Sequence, residues 1–181
     1  MHSRIHKRDG FSFTEIAIVI LILGILSAVA VPRFQESLSR ASLDAACKRL
    51  AADLEFARSN AIAKSATTTV EFRIAPINVY EMPDVADRSN PSQSYLIELH
   101  QQPYRCQIAS ANFDGKPNVS FNGFGNPDFA GSIELVIGKF TRVVSVSQNG
   151  IIQIHDVRLR NANGLKASTF EVHDGEVQTG I

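Results

Sequence analysis

The sequence has no tryptophan, only two cysteines and no net charge. Its 18 basic and 18 acidic residues balance, so the overall charge gives no reason to expect nucleic-acid binding. A Gly-x-Ser-x-Gly elbow, a phosphate-binding loop and a Cys-x-x-Cys pair are all absent from the sequence. The five histidines are too scattered to predict a metal site. We therefore expect no enzymatic activity, no cofactor, no metal and no small-molecule substrate.

One long apolar run stands apart near the N-terminus. From Ile16 to Val31 the chain carries no charge and no strongly polar side chain other than Ser27. Counted from Phe11, the segment is 21 residues long. A helix of that length extends roughly 31 Å and matches the apolar core of a bilayer, about 30 Å thick. Basic residues before the run predict a cytoplasmic N-terminus and a periplasmic location for the chain after it.

Glu15 separates two interpretations of this run. A conventional secretory signal also has a basic start and an apolar middle, and residues 28–30 (Ala-Val-Ala) fit the small-residue rule for signal-peptidase cleavage. Such a signal gives no role to Glu15, whose carboxylate costs on the order of 2.5–3.5 kcal/mol at bilayer depth. Cleavage between Gly10 and Phe11 supplies a role, because the new α-amino group of one subunit can pair with Glu15 of its neighbour inside an apolar bundle.

The motif Gly-Phe-Ser-Phe-Thr-Glu at residues 10–15, followed by the apolar run, resembles the class III leader of type IV prepilins and pseudopilins. The resemblance implies that prepilin peptidase/N-methyltransferase cuts after Gly10 and methylates Phe11, and that Glu15 acts in assembly. Pro32 matches the proline that kinks the helix in many of these proteins, and proline removes one helical hydrogen bond. The implied protein spans the inner membrane once, has a periplasmic head and binds other pilin or pseudopilin subunits.

A second helical pattern follows the apolar run. Apolar residues recur at spacings of three and four between Leu43 and Ala61, while charged residues fall on other faces. The pattern ends at the three threonines 67–69, whose β-branched side chains favour a strand. We therefore predict an amphipathic helix over residues 32–66. Its segment 46–62, with an Ala-Arg-Ser-x-Ala-Ile run, is similar to the corresponding helix of the GspH/FimT family of minor pseudopilins and pilins.

The rest of the chain has the pattern of an antiparallel β head, with short strand-like runs between turn residues. The clearest hairpin is joined through Asn149-Gly150, a dipeptide suited to positive-φ turn positions. Segment 121–152 also resembles the GspH/FimT head, whereas segment 76–94, with its prolines, is expected to be a long loop. The predicted strands are Thr68–Ile74, Tyr95–His100, Tyr104–Ile108, Ser132–Ile137, Thr141–Ser147, Ile151–His155 and Thr169–His173.

These patterns together predict an α+β protein in which a long N-terminal helix packs on an antiparallel sheet, as in pilins. We expect a prepilin leader (1–10), a transmembrane or filament-core helix (11–31), an amphipathic helix (32–66) and a periplasmic β-rich head (67–181). The resemblance implies a minor pilin or pseudopilin at or near the tip of a filament, helping assembly or protein secretion. The resemblance fits either a type IV pilus or a type II secretion pseudopilus, because pilins and pseudopilins share this leader and this helix.

The two cysteines have two interpretations. Cys47 lies on the apolar stripe of the predicted helix, and Cys106 lies in a predicted strand. In an oxidising periplasm a disulfide between them would close a loop of about 60 residues and contribute on the order of 4 kcal/mol. The alternative is a pair of buried, reduced thiols.

An alternative function is a minor pilin that binds DNA or a surface; a small basic patch near the C-terminus is the candidate DNA contact, and the loop expected over 76–94 is the candidate for surface recognition. Arg158 and Arg160 share one face of a strand, Lys166 follows, and some members of the family act in DNA uptake. Acidic residues in the same stretch outnumber these basic ones, so a DNA contact here would be weak and salt-sensitive. The alternative is an ordinary solvated surface.

Overall fold

The computed structural model describes residues 12–87, 90–155 and 158–159, without the side chains of 29–32 and 158–159. It forms two compact units, one ending at Leu38 and the other beginning at Ser39. Helix α1 (Phe13–Lys64) contributes to both. The described strands are β1 (Thr68–Arg73), β2 (Val79–Ala86), β3 (Ser94–Glu98), β4 (Gln107–Asn112), β5 (Asn118–Phe121), β6 (Gly131–Ile137), β7 (Phe140–Val146), β8 (Ile152–Ile154) and β9 (Arg158–Leu159).

The first unit consists, in its described part, of the apolar half of α1. Its first helical turn is closed by a hydrogen bond from the Ile16 amide to the Ser12 carbonyl, at 3.2 Å. Ser27 bonds back to the Leu23 carbonyl at 2.7 Å, so the hydroxyl of this serine is satisfied within the helix. The helical backbone continues through Pro32, so the kink expected there stays a prediction.

Helix α1 ends in a left-handed turn at Ser65, whose φ is +48°. The Ser65 amide donates to the Ile62 carbonyl at 3.1 Å, and the Ala66 amide donates to the Ala61 carbonyl at 3.1 Å. This pair of bonds is a Schellman motif, with serine in the position that glycine usually occupies. The helix therefore stops at a defined point, just before the threonines that open β1.

The second unit contains two antiparallel sheets. The first sheet has the strand order β3-β2-β1-β5, and the second has the order β4-β6-β7-β8, with β9 also paired to β7. Every pairing between the described strands is antiparallel. The α+β fold predicted from the sequence, a long helix packed on antiparallel sheets, is thus confirmed.

One apolar core joins α1 to both sheets. The stripe of α1 predicted to face the sheet is fully buried, and each sheet contributes alternate residues to the same cluster. Phe72 of β1 stacks on Phe113, with ring centroids 6.1 Å apart. The core includes Leu43, Ala46, Cys47, Leu50, Leu54, Ala57 and Ala61 of the helix, with Val70, Phe72, Tyr80, Met82, Val119 and Phe121 from the first sheet and Ile108, Ile133, Leu135, Phe140, Val144 and Val146 from the second.

The β7–β8 hairpin is confirmed, with a different turn from the one expected. Val144 pairs with Ile154 and Val146 with Ile152. Gly150 has a φ of +73°, and its amide donates to the Ser147 carbonyl at 2.9 Å. Only the glycine of the Asn-Gly pair takes the left-handed conformation, which is the geometry of a type I turn followed by a glycine bulge.

The long loop predicted over residues 76–94 is wrong, because β2 (Val79–Ala86) lies inside it. Pro83 argued against a strand, since proline cannot donate to a β ladder. The pairing of β2 with β3 shifts register between Met82 and Ala86, so Pro83 falls in an irregular segment of the strand where it is tolerated.

The strand predicted over Tyr104–Ile108 is also displaced. The observed β4 runs from Gln107 to Asn112, and the residues before it form a turn in which Arg105 has a φ of +52°. Cys106 therefore lies just before β4, with its amide bonded to the Leu99 carbonyl at 2.8 Å. The short strand β5 was not predicted, and the strand predicted over Thr169–His173 lies outside the described residues.

Candidate assembly surface

The first unit exposes an apolar helix surface that carries one acid. Each large aliphatic side chain between Ile16 and Leu26 is between 50% and 64% exposed. By length and composition α1 is able to cross a membrane, and none of its most apolar window is buried in the structure. Glu15 lies in the first turn of the helix, beside this surface. So much exposed apolar surface requires lipid or other protein around it.

The other residues predicted for processing and DNA contact are only partly described. Gly10, Phe11, Arg160 and Lys166 lie outside the described residues. The backbone of Arg158 lies in β9, opposite Thr141 of β7. Within the described residues, no group of three or more His, Cys, Asp or Glu side chains is arranged to hold a metal ion.

The two cysteines lie in the core of the second unit. Cys47 and Cys106 are both fully buried, and both are free thiols in the structure. Burial raises the pKa of each thiol to about 12. The charge of Cys47 also raises the pKa of Cys106, and both residues belong to the same buried cluster. Cys47, predicted on the helix, and Cys106, predicted in a strand of the head, therefore lie in the same core.

Asp53 is the polar centre of the buried face of α1, at 7% exposure. Its carboxylate accepts hydrogen bonds from the hydroxyl of Tyr80 at 2.6 Å, from the hydroxyl of Tyr95 at 3.0 Å and from Nε of Arg49 at 2.9 Å. Burial, together with the Asp53 charge, raises the pKa of Tyr80, which therefore remains a donor. One carboxylate thus ties the helix to β2 and β3.

Replacing Asp53 with alanine is expected to lower the free energy of unfolding by about 3 kcal/mol, because the buried hydroxyl of Tyr80 and two partly buried donors lose their common acceptor. The matched control is Lys48→Ala on the same helix, where a 69% exposed side chain pairs with Asp44 and its loss should cost under about 0.5 kcal/mol. Urea unfolding of the detergent-solubilised chain, followed by circular dichroism, measures both. Equal stabilities of the two variants would contradict this role of Asp53.

Asp44 ties the same helix to the second sheet. Its carboxylate forms an ion pair with Arg142 of β7 and a second one with Lys48 at 2.8 Å. The hydrogen bond from Lys48 and the nearby positive charges hold the pKa of Asp44 below its usual value, against the opposing effect of burial. The two ion pairs of Asp44 therefore stabilise the native state above about pH 4. This stabilisation is lost in more acidic solution, where the carboxyl becomes protonated.

Arg58 joins three segments that are far apart in the sequence. Its Nε donates to the Gly125 carbonyl at 3.0 Å, and its Nη1 pairs with Glu55 at 3.0 Å. A Cβ on Gly150 would lie 2.9 Å from Nε of Arg58 and 2.4 Å from the Gly125 carbonyl oxygen. Three segments therefore meet at this guanidinium: the Ala-Arg-Ser-x-Ala-Ile run of α1, the loop that contains Gly125 and the β7–β8 turn at Gly150.

Sequence reasoning missed the roles of Asp53 and of its tyrosine donors. A signal was present, since Asp53 lies three residues after Leu50 and four before Ala57, on the apolar stripe of the helix. A charged residue on such a stripe predicts a buried partner. The sequence did not identify Tyr80 as a partner, because Tyr80 lies in β2 and the prolines of that segment argue against a strand.

The model of the family described as "Type II transport protein GspH" matches residues 46–150 of this chain. The match includes the second half of α1, the core cysteines and the segments that meet at Arg58. It covers more than half of the chain. No curated protein matches the chain.

Two solved structures are similar to this chain, and both are crystal forms of the type IV minor pilin FimU from Pseudomonas aeruginosa strain PAO1. The form in space group P21 is 18% identical, with a TM-score of 0.48, and the alignment covers 65% of this chain and 90% of that one. The form in space group P65 is also 18% identical, with a TM-score of 0.45 and coverages of 63% and 93%.

Proposed function

Because the chain belongs to the GspH family of pilin-like proteins, we propose that it is a minor pilin or pseudopilin, a structural subunit of a type IV pilus or a type II secretion pseudopilus. The observation that carries the proposal is the exposed apolar half of α1, with Glu15 in its first turn. In the membrane lipid covers this surface, and in a filament the equivalent helices of other subunits do. A structural subunit needs no catalytic group.

The proposal includes the processing of the N-terminus. Prepilin peptidase/N-methyltransferase cuts between Gly10 and Phe11 and methylates the new amine. The amine then pairs with Glu15 of a neighbouring subunit, so that two charges neutralise each other inside the apolar bundle. Pro32 bends the helix where it leaves the bilayer, and the head lies in the periplasm.

A place near the filament tip, helping assembly or secretion, follows from the resemblance to minor pilins and pseudopilins. Counting this chain against the major subunit in sheared filaments tests whether the subunit is a minor one. A minor subunit is present in a few copies per filament, whereas a major subunit accounts for most of the mass.

The Cys47–Cys106 pair is proposed to be a disulfide in the oxidising periplasm. The burial of both thiols in one core cluster supports this pairing. Chain isolated without reductant and unfolded in the presence of iodoacetamide should then take up no label, and the Cys47→Ala variant should take up one, at Cys106. In reduced native chain at pH 8 both thiols should stay unlabelled, because a pKa of about 12 leaves almost no thiolate. Two labels on the unreduced, unfolded chain would contradict the disulfide.

Co-isolation with other pilin-type subunits tests the proposed function. Affinity-tagged full-length chain, cross-linked in its own cells and solubilised in detergent, should carry at least one other subunit with a prepilin-type N-terminus. Deleting the prepilin peptidase should abolish that recovery and leave the chain in the membrane. Recovery of the chain alone from both strains would contradict the proposal.

A further inference from the structure

Positive charge collects at the end of the second unit where its part of α1 begins. The whole chain has no net charge. Residues 39–48 of α1 and residues 137–142 of the β6–β7 hairpin nevertheless have a net charge of +3. In the turns of α1 just before them, the formal charges of Arg33 and Glu36 cancel. The charged residues of this region, the basic end of the second unit, are Arg40, Lys48, Lys139 and Arg142, with Asp44 as the acid.

Two cations of the basic end are held on one aromatic ring. Cζ of Arg40 lies 4.6 Å from the ring centroid of Phe140, and Nζ of Lys139 lies 5.5 Å from the same centroid. Phe140 is only 2% exposed, so its ring is a fixed support for both charges. Arg40 and Lys139 are themselves exposed. They therefore face solvent as a pair whose positions are set before any anion arrives.

The other two cations of the basic end share a single acid. Arg142 and Lys48 both form ion pairs with Asp44. Nε of Arg142 is buried and, among the described residues, has no hydrogen-bond partner. Because one carboxylate neutralises only one of two cations, the field of the basic end stays positive.

The β6–β7 turn lies at the N-terminal end of this part of α1. Phe140 is beside Arg40, and Arg142, two residues later on β7, is beside Asp44, four residues later on α1. Two residues of a strand and four residues of a helix each advance about 6–7 Å, so β7 and α1 run side by side in the same direction. The turn before β7 therefore points back along the helix. A Cβ built on Gly138 in this turn would meet nothing within 4 Å, so the tip is open.

The sequence distance from the apolar run brings the basic end within range of a bilayer surface. Arg40 follows Val31, the last residue of the run, by nine residues, which is about 14 Å of helix. Lipid headgroups add about 5–8 Å to each side of the apolar core. The remaining gap of roughly 6–9 Å is close to one Debye length, about 8 Å at physiological salt. Side chains on a helix also lean toward its N-terminus, which shortens the gap for Arg40.

We propose that the basic end binds the phosphate groups of anionic lipids and holds the head on the membrane surface until the subunit enters a filament. The inference rests on the proposed function, because it requires residues 11–31 to cross the bilayer. Charge complementarity selects the occupant, since the surface that lies at this distance from the apolar run is a layer of phosphates. Each cation near an anionic surface should strengthen the contact about fivefold, and salt should weaken it.

Photo-labelling from the lipid headgroup tests this contact. The full-length chain is placed in nanodiscs of phosphatidylcholine and phosphatidylglycerol in equal amounts, with a photo-reactive group on the headgroup of one lipid or of the other. Mass spectrometry of peptides then locates the label. Residues 137–142 should be labelled at least about fivefold more from phosphatidylglycerol than from phosphatidylcholine. Salt at about 1 M, which shortens the Debye length to about 3 Å, should remove the difference.

The variant for this test is the double substitution Arg40→Gln, Lys139→Gln. Labelling of residues 137–142 from phosphatidylglycerol should fall to the level seen from phosphatidylcholine. The melting temperature should change little, because both side chains are exposed. A folded variant that is labelled like the wild type would overturn the proposal.

The matched control is Lys116→Gln. Nζ of Lys116 also lies over a phenylalanine ring, 5.7 Å from the centroid of Phe129, and its turn also has an open glycine, Gly115. In the pairing of β4 with β6, Gln107 is opposite Val136 and Asn112 is opposite Ser132, so this turn lies at the other end of the same sheet. Lys116→Gln should be labelled at residues 137–142 like the wild type. A loss as large as that of the double variant would overturn the proposal, because net charge alone would then explain the effect.

Two further outcomes would overturn the lipid contact. One is equal labelling of residues 137–142 from the two headgroups. The other is loss of the label when inorganic phosphate or duplex DNA is added at constant ionic strength, which would assign the basic end to a soluble anion or to nucleic acid. A photo-reactive acyl chain examines the proposed function separately. If it labels residues 16–26 while the headgroup leaves 137–142 unlabelled, the anchored subunit stands and the lipid contact is wrong. If the acyl chain labels nothing in residues 16–26, the membrane anchor itself fails.

Discussion

Glu15→Gln is expected to remain in the membrane and to drop out of the filament. In the assembled bundle the methylated amine of Phe11 would be left without its counter-charge among apolar side chains. Breaking a buried ion pair in this way costs about 3–5 kcal/mol, which corresponds to a loss of roughly a hundredfold or more in incorporation. Insertion should be unchanged or improved, because a neutral side chain is cheaper to place in a bilayer.

Glu36→Gln is the control for this experiment. It removes the same charge from the same helix, outside the apolar run. Quantitative immunoblots of sheared filaments and of washed membranes measure incorporation and retention separately. Near-normal incorporation of Glu15→Gln would show that the acid has no part in assembly.

Gly131→Val is expected to unfold the head. A Cβ at Gly131 would lie 2.3 Å from the Asn112 carbonyl oxygen and 2.4 Å from Cδ1 of Phe113. Phe113 is fully buried and stacked on Phe72, so its ring has nowhere to move. Forcing atoms into a packed core commonly costs 1–3 kcal/mol, and a clash with backbone should cost at least about 3 kcal/mol even for alanine. The free-energy cost of valine should be larger still. It should use up most or all of the free energy of unfolding of a typical domain, which is about 5–15 kcal/mol.

Gly115→Ala shows what a glycine substitution costs without a clash. Gly115 has a φ of +80°, and a Cβ added there would meet nothing within 4 Å, so only backbone strain opposes the change. We expect a loss of about 1 kcal/mol in the free energy of unfolding. Thermal unfolding of the detergent-solubilised chain compares Gly131→Ala, Gly131→Val and Gly115→Ala. A Gly131→Ala variant as stable as Gly115→Ala would mean that the strands do not approach as closely as described.

The parts of the fold that the sequence predicts are those governed by local patterns. The buried stripe from Leu43 to Ala61 follows directly from helical spacing, and the β7–β8 hairpin follows from strand-forming residues on both sides of Asn149-Gly150. In both cases neighbouring residues carry all the information. Tertiary contacts then select among structures that are already favoured.

The errors arose where a distant contact overrides a local preference. Pro83 is unfavourable in a regular ladder, yet an irregular pairing with β3 accommodates it, and this pairing is invisible in the sequence of β2. Cys106 was placed in a strand, although the chain at that point turns through Arg105 before β4 begins. Its burial in the core that also holds Cys47 depends on that turn.

The candidate surfaces divide in the same way. Glu15 and the apolar run were apparent from the sequence, because a charge at the edge of such a run is unusual on its own. The meeting of the Arg58 side chain with the Gly125 carbonyl and with the turn at Gly150 was not predicted, because these residues are far apart in the sequence. No local pattern predicts that these three meet.

The mass of the N-terminal peptide of the chain isolated from its membrane tests the central claim most directly. We predict a peptide that begins at Phe11 and carries one methyl group on its α-amine. A peptide that begins at Val31 would show release by a conventional signal peptidase, leaving Glu15 in a discarded segment and contradicting the account.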